Sequence, residues 1–187
     1  MQGLGNNATT ASRRRLGEDG GFTLIELLVV MFILAILVAL VASVAGYVMR
    51  SANAKETAST QAVLMDAIQA WHDKDTSTPN KVYPPDTYGT DDSGVVLIRY
   101  LMGDLPAVSS RNSPQVRAAR EILLKLPSNA WDGTVTAVRD SWGKAMRYKQ
   151  AGGLGGRPVI ISAGPDGIFG EDDPSFGDDD IRSDESQ

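Results

Sequence analysis

From Leu27 to Val48 the chain runs for 22 residues without a charged side chain. As a helix rising about 1.5 Å per residue, that run is about 33 Å long, enough to cross the hydrocarbon core of a bilayer. A cleaved secretory signal has an apolar region of only about 7 to 15 residues, and a globular-core helix needs no run of this length. The segment is therefore expected to be retained, with the rest of the chain anchored by it. One carboxylate, Glu26, stands at its front edge. A charge at the head of a membrane helix is expensive and is usually paired or functional; the bland alternative places it in the headgroup layer.

The residues around that carboxylate, Gly21-Phe22-Thr23-Leu24-Ile25-Glu26-Leu27-Leu28-Val29-Val30, are similar to the processing site of the type IV pilin and type II secretion pseudopilin superfamily. The resemblance implies cleavage after Gly21 by a membrane prepilin peptidase and methylation of the new amino terminus at Phe22. It puts Glu26 in the family's glutamate position, where it pairs with the amine of a neighbouring subunit and sets the register of a filament. It implies a leader over residues 1–21, a transmembrane and assembly helix over 22–48, an amphipathic extension over 49–75, and an extracytoplasmic domain over 76–187. The leader departs from the family in one respect, since Glu18 and Asp19 stand where basic residues are usual next to the cut.

Arg13-Arg14-Arg15 precede the apolar run and only Arg50 directly follows it, which favours an N-terminus inside the cytoplasmic membrane and a C-terminal domain outside it. Beyond the leader and span roughly 140 residues remain, enough for one modest domain. The chain has no cysteine, which removes disulfides, thiolate metal sites and a cysteine nucleophile. After Val48 there are 15 basic and 20 acidic residues, and that balance gives no reason to propose nucleic acid as a partner.

From Tyr47 to Trp71, residues Val48, Ala52, Ala58, Ala62, Val63, Leu64, Ile68 and Trp71 keep a three-to-four spacing among polar residues, predicting that the helix continues with an apolar stripe against the domain. His72, the sole histidine, reads as a residue of the helix C-terminus rather than a metal ligand. Pro79, Pro84, Pro85 and Gly89 predict an irregular connection to Asp92. Gly94 to Met102 reads as strand or short helix, and Ser113-Pro114 opens a helix to Leu126 with Ile122, Leu123 and Leu126 on its buried side. Strands are expected at Thr134–Val138, Lys144–Gln150 and Arg157–Ser162, the last two joined by the flexible Gly152-Gly153-Leu154-Gly155-Gly156 hairpin loop. Asp140-Ser141-Trp142-Gly143 resembles the Asp-Pro-Trp-Gly turn of major pseudopilins and is read as an aspartate-led turn that puts Trp142 against the core. The fold class is thus α+β and pilin-like, a long N-terminal helix packed on a small antiparallel sheet.

From Asp166 to the end there are nine acidic residues and one basic. Closely spaced carboxylates among Gly and Pro suit a hard, oxygen-seeking cation such as calcium, although the spacing fits neither the EF-hand nor the nonapeptide repeat, and a solvated acidic tail has the same composition. Gly164-Pro165-Asp166-Gly167 followed by Asp178-Asp179-Asp180-Ile181 is similar to the calcium loop of the major pseudopilin of type II secretion. That resemblance puts Asp166, Asp178 and Asp180 on motif positions, with Asp172 and Asp173 as further candidates in a loop spanning 163–183.

Two functions of different class fit the sequence. One is a structural, non-enzymatic subunit of a pseudopilus in type II protein secretion, a homo-oligomer working with other pseudopilins, the prepilin peptidase and an inner-membrane assembly platform; a type IV pilin or minor pseudopilin is its near alternative. The other is a membrane-anchored enzyme or binding module. One histidine and no cysteine leave that second class few catalytic options.

Overall fold

The computed structural model describes residues 21–76, 81–105 and 111–185. Helix α1 runs over Leu24–Lys74, α2 over Ser93–Met102 and α3 over Pro114–Leu123; strands β1, β2 and β3 span Arg147–Lys149, Val159–Ser162 and Ile181–Arg182. The chain divides into two compact units, one ending at Val44 and the other beginning at Ala45. In the first, every side chain described from Gly21 to Val44 is exposed. The apolar window of this helix is long enough to cross a membrane and none of it is buried within the protein, so lipid or other protein must cover it.

The second unit is the α+β body. Its part of α1 buries Thr57, Thr60, Gln61, Leu64, Ala67, Ile68 and Trp71, one face at three-to-four spacing. That face is more polar than the expected stripe: Val48, Ala52 and Ala62 are exposed, while Ala58 and Val63 are half-buried. The polar members are there to bond. Gln61 Nε2 donates to Ile181 O at 2.7 Å and Ile160 O at 3.3 Å, and Ser141 N donates to Thr57 Oγ1 at 3.2 Å.

Gly94–Met102, open between strand and helix in the sequence, lies in α2. Val96, Leu97, Ile98 and Leu101 are at most 2 % exposed. The helix ends where Gly103 turns left-handed at φ 67°, with Gly103 N donating to Tyr100 O and Asp104 N to Arg99 O, the paired bonds of a Schellman cap. In α3, Ser113 is the N-cap and Pro114 opens the helix as expected; Val116, Ala119 and Leu123 are buried, Leu126 is buried just beyond its end, and Ile122 is half-buried.

The sheet is antiparallel, in the order β1-β2-β3. Arg147 pairs with Ile161 and Lys149 with Val159, while Ile161 pairs with Arg182 and Ser162 with Ile181. Tyr148 points from β1 into the core, where its hydroxyl donates to Pro84 O at 2.8 Å. Burial pushes the Tyr148 phenol far above its ordinary range, with the charges of Asp86 and Tyr83 adding to it, so it remains a donor at any physiological pH.

Three sequence expectations are corrected. Thr134–Val138 is not a strand: Asp132 Oδ1 accepts from Thr134 N at 2.9 Å and from Thr134 Oγ1. That local turn satisfies groups a ladder would have used, leaving only the Arg139–Ala145 bridge. Trp142 is half-exposed rather than in the core, which takes Trp71 and Trp131 instead. The turn itself forms as read, with Asp140 Oδ1 accepting from Trp142 N at 3.0 Å and Lys144 N at 2.8 Å. The Gly152–Gly156 loop is a bonded turn: Gly153 N donates to Arg157 O at 2.9 Å and Leu154 N to Asp184 Oδ2 at 3.0 Å.

Candidate functional site

Two places carry the candidate residues. At the head of α1, Gly21, Phe22 and Thr23 precede the first helical turn, and Phe22 is 82 % exposed. A Cβ built on Gly21 meets nothing within 4 Å among the described residues, so none of them requires glycine there. Thr23 and Glu26 form a reciprocal pair. Glu26 N donates to Thr23 Oγ1 at 3.2 Å, while Thr23 N and Oγ1 donate to Glu26 Oε2 at 3.1 and 3.0 Å. This is a capping box, which satisfies two of the amides a helix start leaves open. Thr23 is a residue of this site that the sequence reading did not include, although the Thr-x-x-Glu spacing signals it.

The second place is the acidic loop after β2. Period-two alternation puts Arg147 and Lys149 on the face of β1 opposite Tyr148, and both reach the loop. The Arg147 guanidinium binds Asp172 with two bonds of 3.0 and 2.6 Å and lies 3.9 Å from the centre of the Phe169 ring; Lys149 Nζ is 2.6 Å from Glu171 Oε1. The bond from Arg147 holds the Asp172 carboxyl below its ordinary range. These pairs are exposed and contribute little stability each, but they fix which acidic residues remain free. The cations were legible as Arg-Tyr-Lys alternation; their pairing with the distant Asp172 and Glu171 was not.

The five expected metal ligands have different fates. Asp172 is held by Arg147. Asp173 Oδ1 accepts from Ser175 N at 3.0 Å, capping the 3-10 turn Pro174–Asp179. Asp166 Oδ1 accepts from Ile168 N at 2.8 Å, and Asp178 is exposed. Asp180 Oδ2 accepts from Gly170 N at 2.9 Å, while its Oδ1 is buried without a partner. Burial raises the Asp180 carboxyl above its ordinary range, and the charges of Asp179, Asp166 and Glu171 push it the same way. Among the described residues no three acidic or histidine side chains are gathered as metal ligands. The loop folds back on itself where a Cβ on Gly170 would lie 2.4 Å from Gly177 Cα, a crossing only glycine permits.

The loop is fastened to the body through Ser162, which is fully buried. Its hydroxyl donates to Asp140 Oδ2 at 2.6 Å and accepts from Gly164 N at 3.2 Å. His72 lies in the last turn of α1, stacked on Tyr83 with ring centres 4.2 Å apart and Nδ1 3.5 Å from Asp73.

Residues 19–42 match the family model of the prokaryotic N-terminal methylation motif. The match falls on the Gly21–Glu26 segment and the exposed part of α1 just described. It marks the chain as a type IV pilin-like or pseudopilin-type substrate of prepilin peptidase, a class whose members assemble into pilus-like structures, and the apolar helix is consistent with inner-membrane anchoring. No curated protein and no solved structure matches the chain.

Proposed function

We propose that the chain is a structural subunit of a type II secretion pseudopilus, cleaved after Gly21, methylated at Phe22 and polymerised through α1 with copies of itself and other pseudopilins on an inner-membrane platform. In this reading the N-terminus is cytoplasmic and the body extracytoplasmic. The observation that carries it is the methylation motif on the head of a helix whose described side chains are all exposed as far as Val44. Such a helix has two coverings available, lipid before assembly and neighbouring copies after it. Intact mass and N-terminal sequencing of membrane-extracted protein should show a chain beginning at methylated Phe22. Gly21→Leu, which no described residue opposes, should accumulate as uncut precursor; normal maturation of that variant would put the cut elsewhere.

Calcium at the acidic loop belongs to the same reading. Its support is the unpartnered Oδ1 of Asp180 in the negative field of Asp166 and Asp179; Asp180 and Asp166 would hold the ion, which supplies positive charge against that repulsion. Asp172 and Asp173 have other partners, so the set is smaller than the spacing of the sequence suggests. Sites of this kind bind with Kd near 10⁻⁴ to 10⁻³ M, and millimolar ion would add roughly 0.4 to 1.4 kcal/mol. The full chain in detergent should melt a few degrees higher in millimolar calcium than in chelator, and Asp180→Ala should abolish the difference. Equal melting of the wild type in both would return the loop to a solvated acidic segment.

A further inference from the structure

The Gly-rich hairpin tip is ordered around one exposed apolar side chain. Leu154 is 73 % exposed, yet its turn is held on three sides. Gly153 N donates to Arg157 O, Leu154 N to Asp184 Oδ2, and Arg182 Nη2 to Gly152 O at 3.1 Å. Arg182 and Asp184 are themselves an ion pair with 3.1 Å between Nε and Oδ1. Ordering a segment with four glycines opposes a large loss of backbone entropy, and the result is a fixed leucine knob in water. Beside it, Arg157 is exposed and makes no ion pair among the described residues.

At the other end of β2 lies a feature of opposite shape and charge. Ala54, Trp142, Pro165 and Ile181 line an open crevice of about 560 Å³ together with Asp166, Asp179 and Arg50. Two carboxylates against one guanidinium leave it a net charge of −1, and neither Asp166 nor Asp179 has a cation within ion-pair distance among the described residues. Asp179 packs closely on Gly164, its carbonyl oxygen 2.4 Å from where a Cβ on that glycine would be. The half-exposed Trp142 ring, unneeded by the core, forms part of the wall.

We infer that the hairpin tip of one copy docks in this crevice of the next, with Leu154 against Trp142, Pro165 and Ile181 and Arg157 paired with Asp179. The inference rests on the assembly reading above and names a contact that reading does not supply. Charge complementarity selects a second copy as the occupant: the knob brings the unpaired Arg157 to the unpaired Asp179 of the crevice, with or without a cation on Asp166. The four residues of β2, about 13 Å of strand, separate the tip from the crevice, so one body cannot satisfy itself. A surface that meets a different surface on its partner is heterologous, and repeating it yields an open filament rather than a closed dimer.

The chain has no cysteine, which makes cross-linking of full-length protein clean. Arg157→Cys and Asp179→Cys chains, coexpressed and oxidised, should give a 157–179 cross-linked dimer that neither chain gives alone, and the doubly substituted chain should give a ladder. Arg157→Glu should lower filament yield at least about tenfold by setting like charges together, and adding Asp179→Lys should restore it. Filaments of wild type without the 157–179 cross-link, or undiminished assembly of Arg157→Glu, would overturn this contact and leave the subunit assignment standing. A wild-type chain that forms no filament at all would overturn both.

Discussion

Gly94→Ala should destabilise the body by about 2 kcal/mol, and Gly94→Val by more than about 3 kcal/mol. Glycine in the first turn of a helix would ordinarily gain up to about 1 kcal/mol on replacement by alanine, so the sign of the effect is informative. Here a Cβ on Gly94 would lie 2.4 Å from Met146 O and 3.2 Å from Ala137 Cβ. The obstacle is backbone and cannot swing aside. Met146 N is bonded to Val138 O at 2.9 Å, and Tyr148 N donates to Ser93 Oγ at 3.1 Å, tying the head of α2 to β1. A methyl group there has to lift α2, and with it Val96, Leu97, Ile98 and Leu101, all buried. At 2–4 °C per kcal/mol for a chain of this size, thermal unfolding of the full chain in detergent should shift by roughly 4–8 °C for alanine. An alanine variant as stable as wild type would mean that α2 and β1 do not meet as closely as described.

That contact was invisible in the sequence, where Gly94 is only the first residue of a stretch that reads as strand or short helix. The parts that were legible are those whose signal is local. The apolar run fixed α1, Ser113-Pro114 fixed the start of α3, the shared parity of Met146 and Tyr148 located β1, and the apolar run Val159-Ile160-Ile161 located β2. Part of what failed depended on partners distant in sequence. Gln61 looked like a solvent residue of an amphipathic helix, and only the carbonyls of Ile160 and Ile181 give its amide a reason to be buried. Trp131 rather than Trp142 entered the core because its Nε1 reaches Thr134 O at 2.8 Å, in the same turn that removed the expected Thr134–Val138 strand. The acidic loop read as one ligand set, since composition cannot show that Arg147 and Lys149 take Asp172 and Glu171 out of it. At the N-terminus the bond between Thr23 and Glu26 was legible in the Thr-x-x-Glu spacing.

Glu26→Gln should insert and be processed normally, yet lower filament yield at least tenfold. The capping box gives Glu26 a role within its own chain, and this has to be separated from the proposed pairing with the Phe22 amine of a neighbour. Glutamine serves a capping box as glutamate does, because its side-chain oxygen still accepts from Thr23 N; what it lacks is the charge. Both bonds that Glu26 accepts from Thr23 go to Oε2, and no described residue bonds Oε1, which leaves it for a neighbour. Two unit charges about 4 Å apart attract by about 4 kcal/mol at an effective dielectric constant near 20. Half of that, about 2 kcal/mol, is a factor of about thirty in an association constant. In the wild type, pairing also relieves the penalty that an unpaired carboxylate carries at the edge of the hydrocarbon. Thr23→Ala is the converse variant: it removes the hydroxyl cap, worth about 1 kcal/mol at the helix start, and keeps the charge, so it should still assemble. Filament yield from membrane preparations of the three chains separates the two roles. If the Gln variant assembles like wild type while the Ala variant at position 23 does not, capping is what Glu26 is for, and the pairing between neighbours has no part in assembly.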